Sequence, residues 1–120
     1  MIPSPRDGIS HILFWYNNMT VTVTLRRSPK IEKKWRATFE TGQTVDFGRR
    51  GYSDYTMHKN HARMLRYLMR HRRRENWGSS GRYTPGFWSR WLLWSKPSLS
   101  AAAKTTQRAL GQGYRIKVLR

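Results

Sequence analysis

Five arginines, Arg63, Arg66, Arg70, Arg73 and Arg74, recur through a stretch whose apolar residues keep helical spacing. Projected at about 100° per residue, they share one side of a helix, and Arg49, Arg50 and Lys59 stand just ahead of them in sequence. A guanidinium fork meets two oxygens of a phosphate or carboxylate at once, and every phosphate neutralised on a nucleic acid releases condensed counterion. The chemistry this pattern supports is therefore salt-dependent binding of a polyanion. A solvated charged face is the plainer use of arginines on a helix. Such a face normally interleaves Glu with Lys or Arg, which relieves repulsion by about a few tenths of a kcal/mol per pair. Here Glu75, at the far end, is the one carboxylate of the segment. The expected anion- or nucleic-acid-binding residues are Arg49, Arg50, Lys59, Arg63, Arg66, Arg70, Arg73 and Arg74.

A second constellation is aromatic. Phe87, Trp88, Trp91 and Trp94 recur at helical spacing in a segment ended by Pro97. Three readings stand open: a core helix, a partner-docking surface in which Trp and Arg act as hot spots, or an interfacial helix whose Arg90 and Lys96 meet anionic headgroups. His58 and His61 lie one helical turn apart and, with His71, raise the question of a metal. Cysteine is absent and Asp54 is the one carboxylate close by, so the ligand set is incomplete and no metal or other cofactor is expected. Asp46 and Asp54 bracket the Gly48–Gly51 turn, but pairing with Arg49, Arg50 or Arg63 is their simpler use. No phosphate-cradling loop of P-loop spacing occurs and no Ser, His and Asp set can be singled out. No catalytic residue, no small-molecule substrate and no enzymatic activity are expected.

The chain that must position these residues has 24 Lys and Arg against 6 Asp and Glu in 120 residues, a formal charge of +18. It also carries 6 Trp, 6 Tyr and 4 Phe, far more aromatic area than a disordered basic tail holds. Each buried ring removes roughly 150–250 Å² from water, so a few rings suffice for one modest core. Without cysteine no disulfide staples the fold, and a reducing compartment is permitted. The longest apolar run, Ile12 to Tyr16, is far shorter than the roughly 20 residues that span a bilayer, so no transmembrane segment is expected. Met1 to Ser10, with Pro3, Pro5 and Gly8, does not read as a secretory signal. Residues 1–19 are expected to form an extended arm and residues 20–120 a single basic domain.

Within that domain, Val21, Val23 and Leu25 alternate with Thr20, Thr22 and Thr24, which predicts a half-buried strand over 20–27. A second strand is predicted around Trp35, Ala37 and Phe39, and a third over 43–47, together forming an antiparallel meander. The period then becomes helical from about Thr56 to Glu75, with Asp54 or Asn60 as cap. One side of this helix, with Ala62, Leu65, Leu68 and Met69, is expected to pack, and the arginine side to face out. Further helices are predicted from about 86 and from 99, the last capped by Ser98 and closed by Gly111. Tyr114, Ile116 and Val118 read as a closing strand. The expected fold class is α+β, a small antiparallel sheet covered on one side by two or three helices.

The run Asp46-Phe47-Gly48-Arg49-Arg50-Gly51-Tyr52-Ser53-Asp54-Tyr55-Thr56-Met57-His58-Lys59-Asn60, continued by Arg63, Tyr67, Arg70-His71, Glu75-Asn76-Trp77 and the segment Gly86 to Leu99, resembles a small basic protein family of unassigned function carried by large nucleocytoplasmic DNA viruses of eukaryotes. Asn60 stands where that family commonly has aspartate. The resemblance implies a viral setting and offers no catalytic residues. Two functions are expected from it. One is a minor capsid or capsid-associated component of the virion, docking on other capsid proteins through the Trp and Phe surface and the arm. The other is a sequence-independent nucleic-acid-binding protein in genome packaging or replication. In either case the cationic face meets DNA, acidic protein or anionic inner-membrane headgroups, in the virion and, during assembly, in host cytoplasm or nucleus.

Overall fold

The computed structural model describes residues 20–119; the expected arm, residues 1–19, lies outside them. Three strands, β1 (Val21–Arg27), β2 (Lys33–Phe39) and β3 (Thr44–Arg49), form the antiparallel meander. A fourth, β4 (Tyr114–Val118), adds to the other edge of β1, giving the order β3-β2-β1-β4. The fold is α+β.

Alternation decides which way each strand faces. Val23, Leu25, Trp35, Ala37, Phe39, Val45 and Phe47 all point into one core and are buried. The opposite face carries Thr22, Thr24, Arg36, Thr38, Asp46, Arg115 and Lys117, with Arg36 directly across from Asp46 in the register. β4 differs from the expected antiparallel sheet, because it runs parallel to β1 with Val21 beside Tyr114 and Leu25 beside Val118. A parallel neighbour needs a return crossover, and the helix ahead of β4 supplies its last leg, so that β1 and β4 start at the same end, where Val21 N donates to Gly113 O at 2.8 Å.

Four helices follow the meander: α1 (Tyr55–His58), α2 (His61–His71), α3 (Pro85–Trp88) and α4 (Leu99–Leu110). The two caps considered for one long helix are both used. Asp54 Oδ1 accepts from Thr56 N at 3.0 Å and Asn60 Oδ1 from Arg63 N at 3.1 Å. Between them Lys59 takes a left-handed φ of 56°, which stops α1 and lets α2 start afresh. α2 ends at His71, short of the expected Glu75, so Arg73 and Arg74 lie in the turn beyond the helix. Glu75 is drawn back by His71 and Trp77, which hold its two carboxylate oxygens at 3.0 and 2.9 Å.

The wide apolar arc from 87 to 94 has a geometric cause. α3 runs directly into a π-helical turn, Ser89–Leu93, in which Trp94 N donates to Ser89 O five residues back. The wider turn sets Leu92 and Leu93 beneath Phe87 and Trp88, and all four enter the core. α4 closes the layer with Ala102, Thr106 and Leu110, one helical turn apart and buried. Its Gln107 side chain holds β4, donating to Tyr114 O and accepting from Ile116 N at 2.8 Å.

Candidate polyanion-binding cleft

Counting outward from the Thr41–Gly42 turn, where Phe39 N donates to Gln43 O, places Lys33 opposite Arg49 at the far end of the β2–β3 ladder. There Gly48 has φ 78°, and a side chain on it would meet Leu93 Cδ1 at 2.9 Å and Lys34 Cβ at 3.1 Å. Only glycine fits, because the conformation and the space both exclude a Cβ. α2 lies beside this end of the sheet. A cleft of about 430 Å³ opens between them, with Lys33, Arg49, Arg63 and Arg70 on its walls and Tyr67 and Trp94 among its lining.

α2 is placed there by rings. Tyr67 stacks flat on Trp94, centroids 4.3 Å apart with 2° between planes, and His71 lies over Tyr67 at 4.1 Å. The Tyr67 hydroxyl is pushed up from its ordinary pKa, first by burial and then by the nearby Glu75 charge, so the phenol stays uncharged. At the other end of the helix His58 accepts the Asn60 N–H on Nδ1 at 2.8 Å, which assigns its own proton to Nε2. Burial, then Arg63, lowers its pKa and favours that neutral form.

This anchoring reverses one expectation. Met64 and Tyr67 form the packed side of α2, whereas Leu65 and Met69, expected inside, are 45% and 70% exposed, and Ala62 is exposed with them. An aromatic that can lie flat on Trp94 wins the inward position over a smaller aliphatic residue. Arg63 and Arg70 face the cleft, and Arg66 lies exposed further round the helix.

Two carboxylates near these cations have partners of their own, Asp46 on the sheet face and Asp54 within the cleft lining. Asp46, expected on Arg49, Arg50 or Arg63, instead takes two hydrogen bonds from Arg36, at 2.9 and 3.0 Å, and one from Ser28 Oγ at 2.6 Å. Asp54 takes the Lys34 ammonium at 2.6 Å and caps α1, both side chains being largely buried. Asp46 and Asp54 are spoken for by β2, whose outward residues are nearer than the turn arginines. Among the described residues, no ion pair reaches Arg49, Arg50, Arg63, Arg66, Arg70, Arg73 or Arg74.

Two members of the expected set are placed outside the cleft by their own bonds. Lys59 donates to the Pro97 carbonyl, tying the α1–α2 corner to the segment before α4, and Arg50 donates to Ser28 O at 3.3 Å. The expected docking surface also changes. Phe87 and Trp88 are fully buried, and Trp88 Nε1 donates to Arg82 O at 2.7 Å, which fixes both as core. Trp91 and Trp94 are half-buried, Trp91 donating to Trp77 O and Trp94 supporting α2. Among the described residues, no group of three or more His, Asp or Glu is placed to hold a metal ion, and no helix is long and apolar enough to cross a membrane.

Residues 23–71 are similar to a family of unknown function, DUF5754. That span runs from within β1 to the end of α2, and so includes Lys33, Arg49, Arg63 and Arg70. No curated protein and no solved structure matches the chain.

The sequence pattern found Arg49, Arg63 and Arg70 but passed over Lys33 and Tyr52. Lys33 was within reach of the turn-counting argument above. Tyr52 lies in the basic Gly48–Gly51 neighbourhood, 58% exposed, with the Arg49 guanidinium 4.5 Å from its ring centre.

Proposed function

We propose that the protein is a non-enzymatic nucleic-acid-binding protein that holds the phosphate backbone without reading sequence. The observation that carries this reading is the convergence of Lys33, Arg49, Arg63 and Arg70 on one cleft while Asp46, Asp54 and Glu75 are engaged by other residues. Four cations held by a strand end and a capped helix are preorganised, so the entropy of gathering them is spent during folding rather than on binding. An anionic ligand relieves the repulsion among them. The resemblance described above implies a viral setting for this activity, the virion of a large DNA virus or its packaging or replication machinery.

Titration of labelled DNA across a range of salt concentrations tests the reading. Four phosphate contacts, at about 0.7 to 0.9 each, give a fall in log K with log salt of roughly three units or more. A slope shallower than about one would remove the cleft from consideration as a phosphate site.

A second reading, a minor capsid component, is favoured by the exposed stripe of Ala62, Leu65 and Met69 beside the arginines of α2. Such a stripe suits an acidic, partly apolar protein surface better than it suits DNA. Retention in fixed stoichiometry by nuclease-treated, detergent-stripped particles supports this reading. Release together with the genome supports the first.

A further inference from the structure

Tyr52 lies between two neighbouring cavities, together with Ser53 and the Lys34–Asp54 ion pair. It lines the cationic cleft on one side and, on the other, a cavity of about 690 Å³ whose walls include Trp35, Met57 and Leu99, with Arg27 and Arg50 beside them. The larger cavity is within the size range of pockets that take small planar ligands. Its Arg27 guanidinium lies 4.5 Å from the Trp35 ring centre, and Arg50 is held at Ser28 O, so both cations have defined positions. The Tyr52 backbone is fixed by donation from its N–H to Arg49 O at 3.2 Å. With one guanidinium against it and 58% of the residue exposed, the ring keeps surface open to solvent between two sets of cations.

An exposed aromatic by itself needs no explanation. Here its surroundings supply one. Phosphate contacts alone call for cations and give no use for an apolar cavity beside them. A single strand presents both kinds of group, a charged backbone and unpaired bases whose faces stack on aromatic side chains, whereas a duplex keeps its bases stacked on one another. We propose that this site takes single-stranded nucleic acid, the backbone lying in the Lys33, Arg49, Arg63 and Arg70 cleft and a base resting on Tyr52 at the mouth of the apolar cavity. The assignment rests on the polyanion reading above and narrows it to one class of nucleic acid.

Fluorescence anisotropy with a labelled 12-nucleotide single strand, the matching duplex and inorganic polyphosphate, applied to the full chain and to Tyr52→Ala and Tyr52→Phe, tests this. Loss of one base–aromatic stack, about 1–3 kcal/mol, corresponds to roughly 5- to 150-fold weaker binding. Tyr52→Ala is expected to weaken the single strand by about ten-fold, within that range, leaving duplex and polyphosphate within two-fold, and Tyr52→Phe to keep the wild-type preference. Equal weakening of all three ligands by Tyr52→Ala, or no change for the single strand, overturns the assignment while leaving the polyanion reading in place. Failure of the unaltered protein to bind any of the three overturns both.

Discussion

Asp46 shows how single residues sort the charge of this chain. Its carboxyl is held down to about 2 from an ordinary 3.8, chiefly by the Arg36 hydrogen bonds and also by Ser28 Oγ, with burial opposing them. A folded-state pKa below the unfolded one contributes stability that is present above the ordinary carboxylate value and is lost as pH falls through the folded value. Stability is therefore expected to drop between about pH 4 and pH 2, and Asp46→Asn to make that part of the decline shallower. Urea melts of both proteins at several pH values check this; parallel declines would show that Asp46 is not the group responsible. The pair lies on the open sheet face, so its loss is not expected to alter polyanion binding.

Among the elements, α2 has the most demanding placement, because it has to present Arg63 and Arg70 while standing at the end of the sheet. Trp94 supplies the plane on which Tyr67 rests, and so positions the arginines. Trp94→Ala is expected to destabilise the fold by about 3 kcal/mol, near the low end of large-to-small aromatic replacements because Trp94 is only half-buried. Trp94→Phe retains a flat partner and should recover most of that loss. Chemical denaturation decides, and a change under about 0.5 kcal/mol for Trp94→Ala would mean that the stack is not what holds α2. Much of the secondary structure is legible in the sequence: alternation marks β1 to β4 and Ser98 the start of α4, while Asp54 and Asn60, alternatives for one helix, prove to start two. The packed face of α2 was not legible, because its apolar residues divide into two sets, Met64 with Tyr67 and Leu65 with Met69, and only the distant Trp94 selects between them. The parallel setting of β4 and the π turn likewise depend on how α3 and α4 cross the sheet, which no local period encodes.

Across the whole molecule, the +18 charge is divided by use rather than spread evenly. Arg36 and Lys34 are paired, Lys59 and Arg50 hold backbone carbonyls, and Arg26, Arg115 and Lys117 are exposed along the sheet. Lys33, Arg49, Arg63 and Arg70 share the cleft beside α2, next to the Lys34–Asp54 pair that neutralises itself. Sequence could name most of these residues, but their convergence comes from the β2–β3 register and the Tyr67 stack, both long-range. If the charge is aimed, two variants of equal net charge differ in binding. Arg49, Arg63 and Arg70 are changed to Gln in one, and Arg26, Arg115 and Lys117 in the other, and the salt dependence of DNA binding is measured for both. The cleft variant is expected to lose about two to three units of slope while the sheet-face variant keeps nearly the full wild-type slope. Equal losses in the two would mean that the charge is a diffuse coat with no aimed site.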